Sequence, residues 1–127
     1  TYEEVGHGAS WIPQDVVELL AVDMGCIGSD LSCTETDVSI CAKDSGGPYD
    51  YSMTSRLIEL AQAHNLPYAV DIYPYYGSDC GAALKGGNDI RGALIGPGVH
   101  ASHGMERTHM QGVSAAYMLC AAYLLEK

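Results

Sequence analysis

The sequence predicts an α/β fold with a largely parallel sheet, and three observations support this prediction. Short apolar segments alternate along the chain with segments of helical periodicity. The apolar segment 16–22 is rich in β-branched residues, which is typical of a strand buried on both faces. The 127 residues match one small domain with a viable hydrophobic core.

The first half of the chain is predicted to contain three strands. Residues 1–5 resemble the end of a strand, and glycines and a proline then indicate a loop. Residues 16–22 form the second strand, which leads into Asp23. A loop rich in Gly, Ser, Thr and Asp covers residues 25–37, and residues 38–42 form a third, short strand. A second loop follows at residues 44–48.

The second half is predicted to alternate between helices and strands. A helix over residues 51–64 ends at Asn65, and a strand follows at 68–73. Ser78 is a candidate N-cap for a short helix that extends through Leu84. A strand at 90–95 is expected to stop at Gly96-Pro97-Gly98, before a histidine-bearing loop at 99–107. The last helix covers 108–126, and its predicted inner face consists of Val113, Ala116, Tyr117, Cys120, Ala121 and Leu124.

Composition excludes several classes of protein. The net charge of −10 disfavours a nucleic-acid surface and favours local cation binding. Five cysteines without a Cys-x-x-Cys pair indicate reduced thiols and a cytoplasmic protein. The longest apolar segment, 113–125, is too short to cross a bilayer, so we expect no membrane partner. The chain starts without methionine or a secretory leader, so we expect a piece of a longer protein.

Two adjacent carboxylates, Glu3 and Glu4, precede Gly6. Both could be solvated at a strand end. Alternatively, one carboxylate binds a metal ion and the other takes a proton from a metal-activated water.

Further acidic and imidazole groups follow predicted strands or lie in loops. Carboxylates together with histidine suit Zn²⁺, Co²⁺ or Mn²⁺ in a hydrolase. Taken singly, each of these acidic or histidine residues has a simpler explanation: Asp23 could be an ordinary loop acid, and any one histidine could lie on the surface. Their joint placement favours a metal site, and the candidates are Glu3, Glu4, Asp23, Asp79, His100, His103, Glu106 and His109.

Three motifs resemble one family. Glu3-Glu4-Val5-Gly6, with the apolar strand that ends at Asp23, resembles the metal site of the glutamyl aminopeptidase (cellulase M-like) group, metallopeptidase family forty-two. The segment 77–82, Gly-Ser-Asp-Cys-Gly-Ala, resembles the family's Gly-Thr-Asp-Ala-Gly. His103, three residues before Glu106, is similar to its late histidine motif. Order and spacing agree over nearly the whole chain.

The resemblance implies a three-layer α/β/α zinc-exopeptidase fold and a two-metal aminopeptidase that acts on peptides as a homo-oligomer. It implies that Glu3 is the general base, that Glu4 and His103 bind one metal ion, and that Asp23 binds the other, with Zn or Co as the metal. The family's remaining ligands, a histidine and a bridging aspartate, come from upstream segments. Residues 1–127 are therefore expected to form the C-terminal part of the catalytic domain without its upstream part and inserted domain, and to be inactive alone.

Two departures from the family pattern leave alternatives open. His7-Gly8-Ala9 replaces the family's Leu-Arg-Gly, and Ala101-Ser102-His103-Gly104 replaces Arg-Tyr-x-His-Ser. His100 and His109 lie close enough in sequence to take the ligand role of His103. Asp79 and Arg107 could contact substrate, or could cap a helix and form a surface ion pair. A related two-metal carboxypeptidase or deacylase, and a non-catalytic folding or assembly module, are the alternative functions.

Overall fold

Six strands form one mixed sheet in this computed structural model, which describes residues 5–126. Three helices complete the described part of the chain. In chain order the elements are β1 (Glu18–Val22), β2 (Gly25–Cys26), β3 (Val38–Asp44), β4 (Gly47–Pro48), α1 (Tyr51–Ala63), β5 (Tyr68–Ile72), α2 (Asp79–Lys85), β6 (Arg91–Val99) and α3 (Met110–Leu125).

The sheet consists of two parallel groups, β1 and β2 with β6 and β5 with β3, which are joined in the antiparallel sense. β1 runs parallel to β6, with Glu18 opposite Arg91. β5 runs parallel to β3, whereas β3 is antiparallel to β6, with Ile40 opposite Ile95. The two-residue strand β4 folds back onto the end of β3 as a short hairpin. The predicted α/β class is confirmed, but the antiparallel joint at the centre of the sheet has no signature in the hydrophobic pattern.

Helices cover both faces of the sheet. On one face, buried side chains of β3 and β6, such as Ile40 and Ile95, pack against Leu57 of α1 and Leu119 of α3. On the other face, the alternate residues of the same strands pack with Cys80 of α2 in a second cluster. Successive strand side chains point to opposite faces, so β3 and β6 contribute to both clusters. The resulting three layers agree with the predicted α/β/α arrangement.

Helix α1 begins and ends where its sequence predicts. The Asp50 carboxylate accepts a hydrogen bond from the Met53 N–H at 2.9 Å and so caps the first turn. Asn65 has φ +51°, and the Leu66 N–H donates to the Ala61 carbonyl at 2.9 Å. A left-handed residue followed by this hydrogen bond is the usual helix stop. The expected end at Asn65 is therefore confirmed.

Strand β6 contradicts the expected stop at Gly96-Pro97-Gly98, because it continues through Val99. A Cβ at Gly96 would lie 1.6 Å from the Asp23 carbonyl oxygen, and one at Gly98 would lie 2.0 Å from the Thr34 carbonyl oxygen. Both glycines therefore allow neighbouring backbone segments to approach the strand closely. At these positions glycine serves close packing rather than chain reversal.

The predicted inner face of α3 is partly wrong. Tyr117 is 74% exposed and Leu124 is also exposed, whereas Leu119 is fully buried. The helix carries no charged side chain between residues 110 and 125, so periodicity could not select the buried side. The residues that are buried are Gly112, Ala115, Ala116, Leu119 and Ala122. No helix within residues 5–126 is long and apolar enough to cross a membrane.

Candidate active site

A cleft of about 660 Å³ opens on the face of the sheet that carries α2. Its lining includes three of the predicted site residues, Asp23, Asp79 and His103. Val5 and Gly6 also line it, and the chain places Glu3 and Glu4 directly before them. Glu3 and Glu4 themselves, with most of the strand predicted over residues 1–5, lie outside the described residues. Val5, the described part of that segment, belongs to no strand.

Asp23 follows the last residue of β1 and is held by its backbone. Its N–H donates to the Ile95 carbonyl at 2.9 Å, and its Oδ1 accepts from the Met24 N–H at 2.7 Å. Its Oδ2 has no hydrogen-bond partner between residues 5 and 126. One carboxylate oxygen of an exposed aspartate therefore remains available to a ligand in the cleft.

His103 lines the same cleft as Asp23 and has an unusual backbone conformation. Its φ is +61°, and its N–H donates to Glu106 Oε1 at 2.9 Å. The imidazole stacks on Tyr76 with ring centroids 6.0 Å apart and planes 8° apart. The Ser102 hydroxyl contacts Met24 Sδ at 2.9 Å, which joins the two segments that carry Asp23 and His103. Because β1 and β6 run parallel, both segments leave the sheet at the same edge.

The competing histidines have other roles. His100 forms a backbone bridge with Arg107, and its Nε2 lies 3.6 Å from Glu35 Oε1. His109 caps α3, because its Nδ1 accepts from the Gln111 N–H at 3.1 Å. Neither histidine lines the cleft. Of these three histidines, the described structure places only His103 in the cleft that Asp23 lines.

Of the two candidate substrate contacts, Asp79 lies in the cleft and Arg107 does not. Asp79 is the first residue of α2, is half-buried, and lines the cleft without a hydrogen bond or ion pair to the described residues. Arg107 lies outside the cleft lining, and its Nε pairs with Glu35 Oε1 at 3.0 Å. The surface ion pair considered as the alternative for Arg107 is therefore what the structure contains.

A hydrogen-bond network that the sequence did not predict supports the wall of the cleft. The Tyr49 hydroxyl donates to Oδ2 of the buried Asp44 at 2.5 Å. The Ser78 hydroxyl lies 2.6 Å from the same phenol oxygen and donates to it. Ser78 therefore occupies the predicted N-cap position of α2, but its side chain makes no capping hydrogen bond. Burial, reinforced by the bond to Asp44, raises the pKa of Tyr49 well above its usual range. The two partners lie 29 residues apart, and no local pattern pairs them.

The cysteines beside the cleft are neutral thiols. Burial, with a smaller contribution from the Asp23 charge, raises the pKa of Cys26 to about 11. Burial raises the pKa of Cys41 to about 12. All five cysteines are free. Metal binding and nucleophilic attack both require the thiolate, so these cysteines are unsuited to either role at neutral pH.

The donors in the cleft fit part of a metal site. Between residues 5 and 126 no three His, Cys, Asp or Glu side chains gather closely enough to hold an ion. Asp23 and His103 nevertheless supply a carboxylate and an imidazole with donor atoms not used by other described residues. This donor pair suits Zn²⁺ or Co²⁺. The other predicted ligand, Glu4, precedes cleft-lining residues but lies outside the described part.

Comparisons with known proteins agree on one family. Residues 1–119 match the family model for M42 glutamyl aminopeptidase. Over 123 residues the chain is 50% identical to the Bacillus subtilis (strain 168) protein named "Putative aminopeptidase YhfE". The aligned region covers 96% of this chain and 36% of that protein. The chain thus spans about a third of the length of this curated relative.

Solved structures show the same fold. The PhTET1-12s dodecamer structure matches with a TM-score of 0.83 and 18% identity, over 98% of this chain and 39% of that one. The Pyrococcus horikoshii TET1 peptidase matches with a TM-score of 0.75 and 15% identity, over 87% of this chain and 34% of that one. It is described as assembling into a tetrahedron or a large octahedral shell.

Proposed function

This chain belongs to the M42 glutamyl aminopeptidase family, and from that premise we propose that it is the C-terminal part of the catalytic domain of a metal-dependent aminopeptidase. The complete protein would remove the N-terminal residue from peptides. The upstream part and the inserted domain would complete it, and the chain alone would be inactive. The observation that carries the proposal is that Asp23 and His103 line one cleft. The residues that directly follow Glu3-Glu4 line the same cleft.

Each acidic or imidazole group in the proposed site has one task. Glu4 and His103 would hold one divalent ion and Asp23 the other, with Zn or Co as the metals. Bound divalent ions supply Lewis acidity, which lowers the pKa of water and polarises a carbonyl. Glu3 would accept the proton of the attacking water at its carboxylate and return it to the leaving amine.

Asp79 is proposed to bind the free ammonium group of the substrate. Its carboxylate lines the cleft and has no partner among the described residues, so an incoming cation would meet an unpaired negative charge. Binding the ammonium would favour peptides with a free N-terminus over N-blocked ones. Arg107 is left out of the proposed site because it pairs with Glu35.

The proposal extends to assembly and location. One structurally similar protein is described as a dodecamer and another as assembling into a tetrahedron or a large octahedral shell, which supports a homo-oligomer for the complete protein. Five free cysteines support a reducing, cytoplasmic environment. A net charge of −10 supports peptide rather than nucleic-acid partners.

Substitution of the two adjacent glutamates tests the proposal in the complete protein. Glu3→Gln keeps the shape of the side chain but cannot accept a proton, so turnover should fall by about 10²–10⁴-fold with bound metal near normal. Glu4→Gln weakens a ligand, so metal and activity should fall together and recover partly with excess metal. Metal content by mass spectrometry, measured with turnover, separates these effects. If both variants cleave peptides as the wild type does, the proposed roles are wrong.

Matched histidine variants and a substrate panel complete the test. His103→Ala should lower metal content, whereas His109→Asn should not, because asparagine still caps a helix. Cleavage of free-amine peptides but not N-blocked ones supports an aminopeptidase. The reverse result would indicate a related deacylase, and cleavage from the C-terminus would indicate a carboxypeptidase. A complete protein without bound metal or hydrolysis would indicate a non-catalytic module.

A further inference from the structure

We propose that Tyr76 is a positioning residue that holds the imidazole of His103 in the orientation required of a ligand, and that the Tyr49 hydroxyl fixes the segment carrying Tyr76. The inference rests on the proposed function, in which His103 binds metal. It assigns a role to two tyrosines that belong to none of the motifs described above.

The contact between Tyr76 and His103 is a ring stack. The centroids are 6.0 Å apart and the planes are within 8° of parallel, which is the offset arrangement that aromatic pairs favour. The Tyr76 hydroxyl has no hydrogen-bond partner among residues 5–126, so the contact depends on the ring and not on the phenol.

His103 needs such support because its side chain is exposed. Its backbone is held in the left-handed conformation, and its N–H is bonded to Glu106. These two constraints fix the Cα–Cβ direction but leave both side-chain torsions free. The Tyr76 ring supplies a further constraint, because a stacked imidazole keeps its ring plane and both nitrogens stay in that plane. Groups around a metal ligand commonly act in this way.

Tyr76 is itself anchored from both sides along the chain. The Ser45 N–H donates to the Tyr76 carbonyl at 2.9 Å. Two residues later, the Ser78 hydroxyl donates to Tyr49, which donates to the buried Asp44. Before Tyr76, the buried Tyr73 hydroxyl is hydrogen-bonded to Ser39 of β3. Residues 73–78 are thus tied to the sheet and to the loop after β3, and the Tyr76 ring is carried on a fixed segment.

The neighbouring tyrosine provides an internal comparison. Tyr75 also lines the cleft, but it is 90% exposed and has no stacking partner among the described residues. A general need for aromatic surface at the cleft would make the two tyrosines equivalent. A positioning role for Tyr76 alone makes them differ.

Four variants of the complete protein test this proposal. Tyr76→Leu removes the ring face, Tyr76→Phe keeps it, Tyr49→Phe removes the anchoring hydroxyl, and Tyr75→Leu is the control. Co²⁺ affinity is measured by competition with a chelator, and kcat and KM are measured separately on a free-amine peptide. The nuclear magnetic resonance signal of the His103 ring reports the stack, because the Tyr76 ring current shifts it.

Loss of the stack should weaken Co²⁺ binding in Tyr76→Leu by about 2- to 10-fold. Its kcat should fall more than its KM changes, and the His103 ring signal should move. Tyr76→Phe should keep Co²⁺ affinity, kcat and the His103 ring signal near their wild-type values. Tyr49→Phe should move them in the same direction as Tyr76→Leu but by less. Tyr75→Leu should leave Co²⁺ affinity and the His103 ring signal unchanged. If Tyr76→Leu reduces folding, Tyr49→Phe carries the test, since it retains every aromatic ring.

Wild-type Co²⁺ affinity in Tyr76→Leu would overturn the inference. An equal effect of Tyr75→Leu would also overturn it. A wild-type protein that binds Co²⁺ but releases no N-terminal residue would reject the proposed aminopeptidase function alone, because the metal affinities would still decide the role of Tyr76. A wild-type protein that binds no metal would reject both.

Discussion

Gly96→Ala tests whether the close crossing of two backbones sets the position of Asp23. A methyl group at residue 96 would lie 1.6 Å from the Asp23 carbonyl oxygen and 2.5 Å from its carbonyl carbon. Real Cβ contacts essentially never fall below 3.0 Å. Both neighbours are backbone atoms, so the clash cannot be relieved by rotating a side chain. Either β6 or the segment that contains Asp23 must move.

The magnitude follows from two contributions. Overpacking in a well-packed region typically costs about 1–3 kcal/mol. The displacement would also break the hydrogen bond from the Asp23 N–H to the Ile95 carbonyl, which is 2.9 Å long and contributes about 0.5–1.5 kcal/mol. Together these terms predict a loss of about 1.5–4.5 kcal/mol in the free energy of unfolding. Because Asp23 moves, Co²⁺ affinity should decline in the same variant.

Gly81→Ala is the matched control in urea unfolding and in Co²⁺ titration of the complete protein. A Cβ at this position in α2 meets no heavy atom of the neighbouring elements within 4 Å among residues 5–126. Since alanine favours a helix over glycine, this variant should be neutral or more stable by up to about 1 kcal/mol. The reasoning fails if Gly96→Ala unfolds at the wild-type urea concentration, or if both glycine variants lose the same stability.

Three further variants or treatments test structural features away from the crossing. Hydrogen bonds from the Ser52 hydroxyl and the Met53 N–H hold the pKa of Asp50 below its usual range. The Asp50 carboxylate therefore stabilises the folded state above the unfolded pKa of about 3.9, and this contribution disappears as pH falls through the folded pKa. In an acid titration, Asp50→Asn should lose less stability below about pH 4 than the wild type does. Burial raises the pKa of Cys26 and Cys80 to about 11, so a thiol reagent at pH 8 should label the half-buried Cys120 before either, and equal labelling rates would contradict this expectation. Asp71→Asn should lose about 1–3 kcal/mol of unfolding free energy, because the two carboxylate oxygens accept hydrogen bonds from the backbone N–H groups of residues 32 and 33. Asp30→Asn, at an exposed position, should be neutral.

Local chemistry made much of the fold predictable. The α1 helix follows from side chains at helical spacing and from Asn65, which adopts the left-handed conformation that ends it. The apolar segment before Asp23 becomes β1, although its first two residues remain outside the strand. Asp23 and His103 are predicted as ligands from the order of motifs, and both line the cleft. For the helix and the strand, the signal lay within a few consecutive residues.

Features that depend on contacts distant in sequence were not predictable. Gly96 indicates a chain reversal when considered locally, and only the crossing of the Asp23 backbone explains why it lies inside a strand. The buried side of α3 depends on which apolar face meets the sheet, and the helix is apolar all round. Tyr49 and Ser78 are paired by the return of β5 beside β3, which no single-segment pattern encodes.

The antiparallel joint between β3 and β6 explains why the cleft lies over a face of the sheet. β1 and β6 deliver Asp23 and His103 to one edge, but β5 runs the opposite way and ends toward the other edge. Asp79, which follows β5, reaches the same cleft because residues 73–78 and α2 return over the sheet. The candidate ligands and the candidate substrate contact thus come from opposed strands, and the hydrogen bonds at Tyr49 and Ser45 tie the returning segment to the loop after β3. The geometry of the site therefore depends on that returning segment as much as on the strand ends.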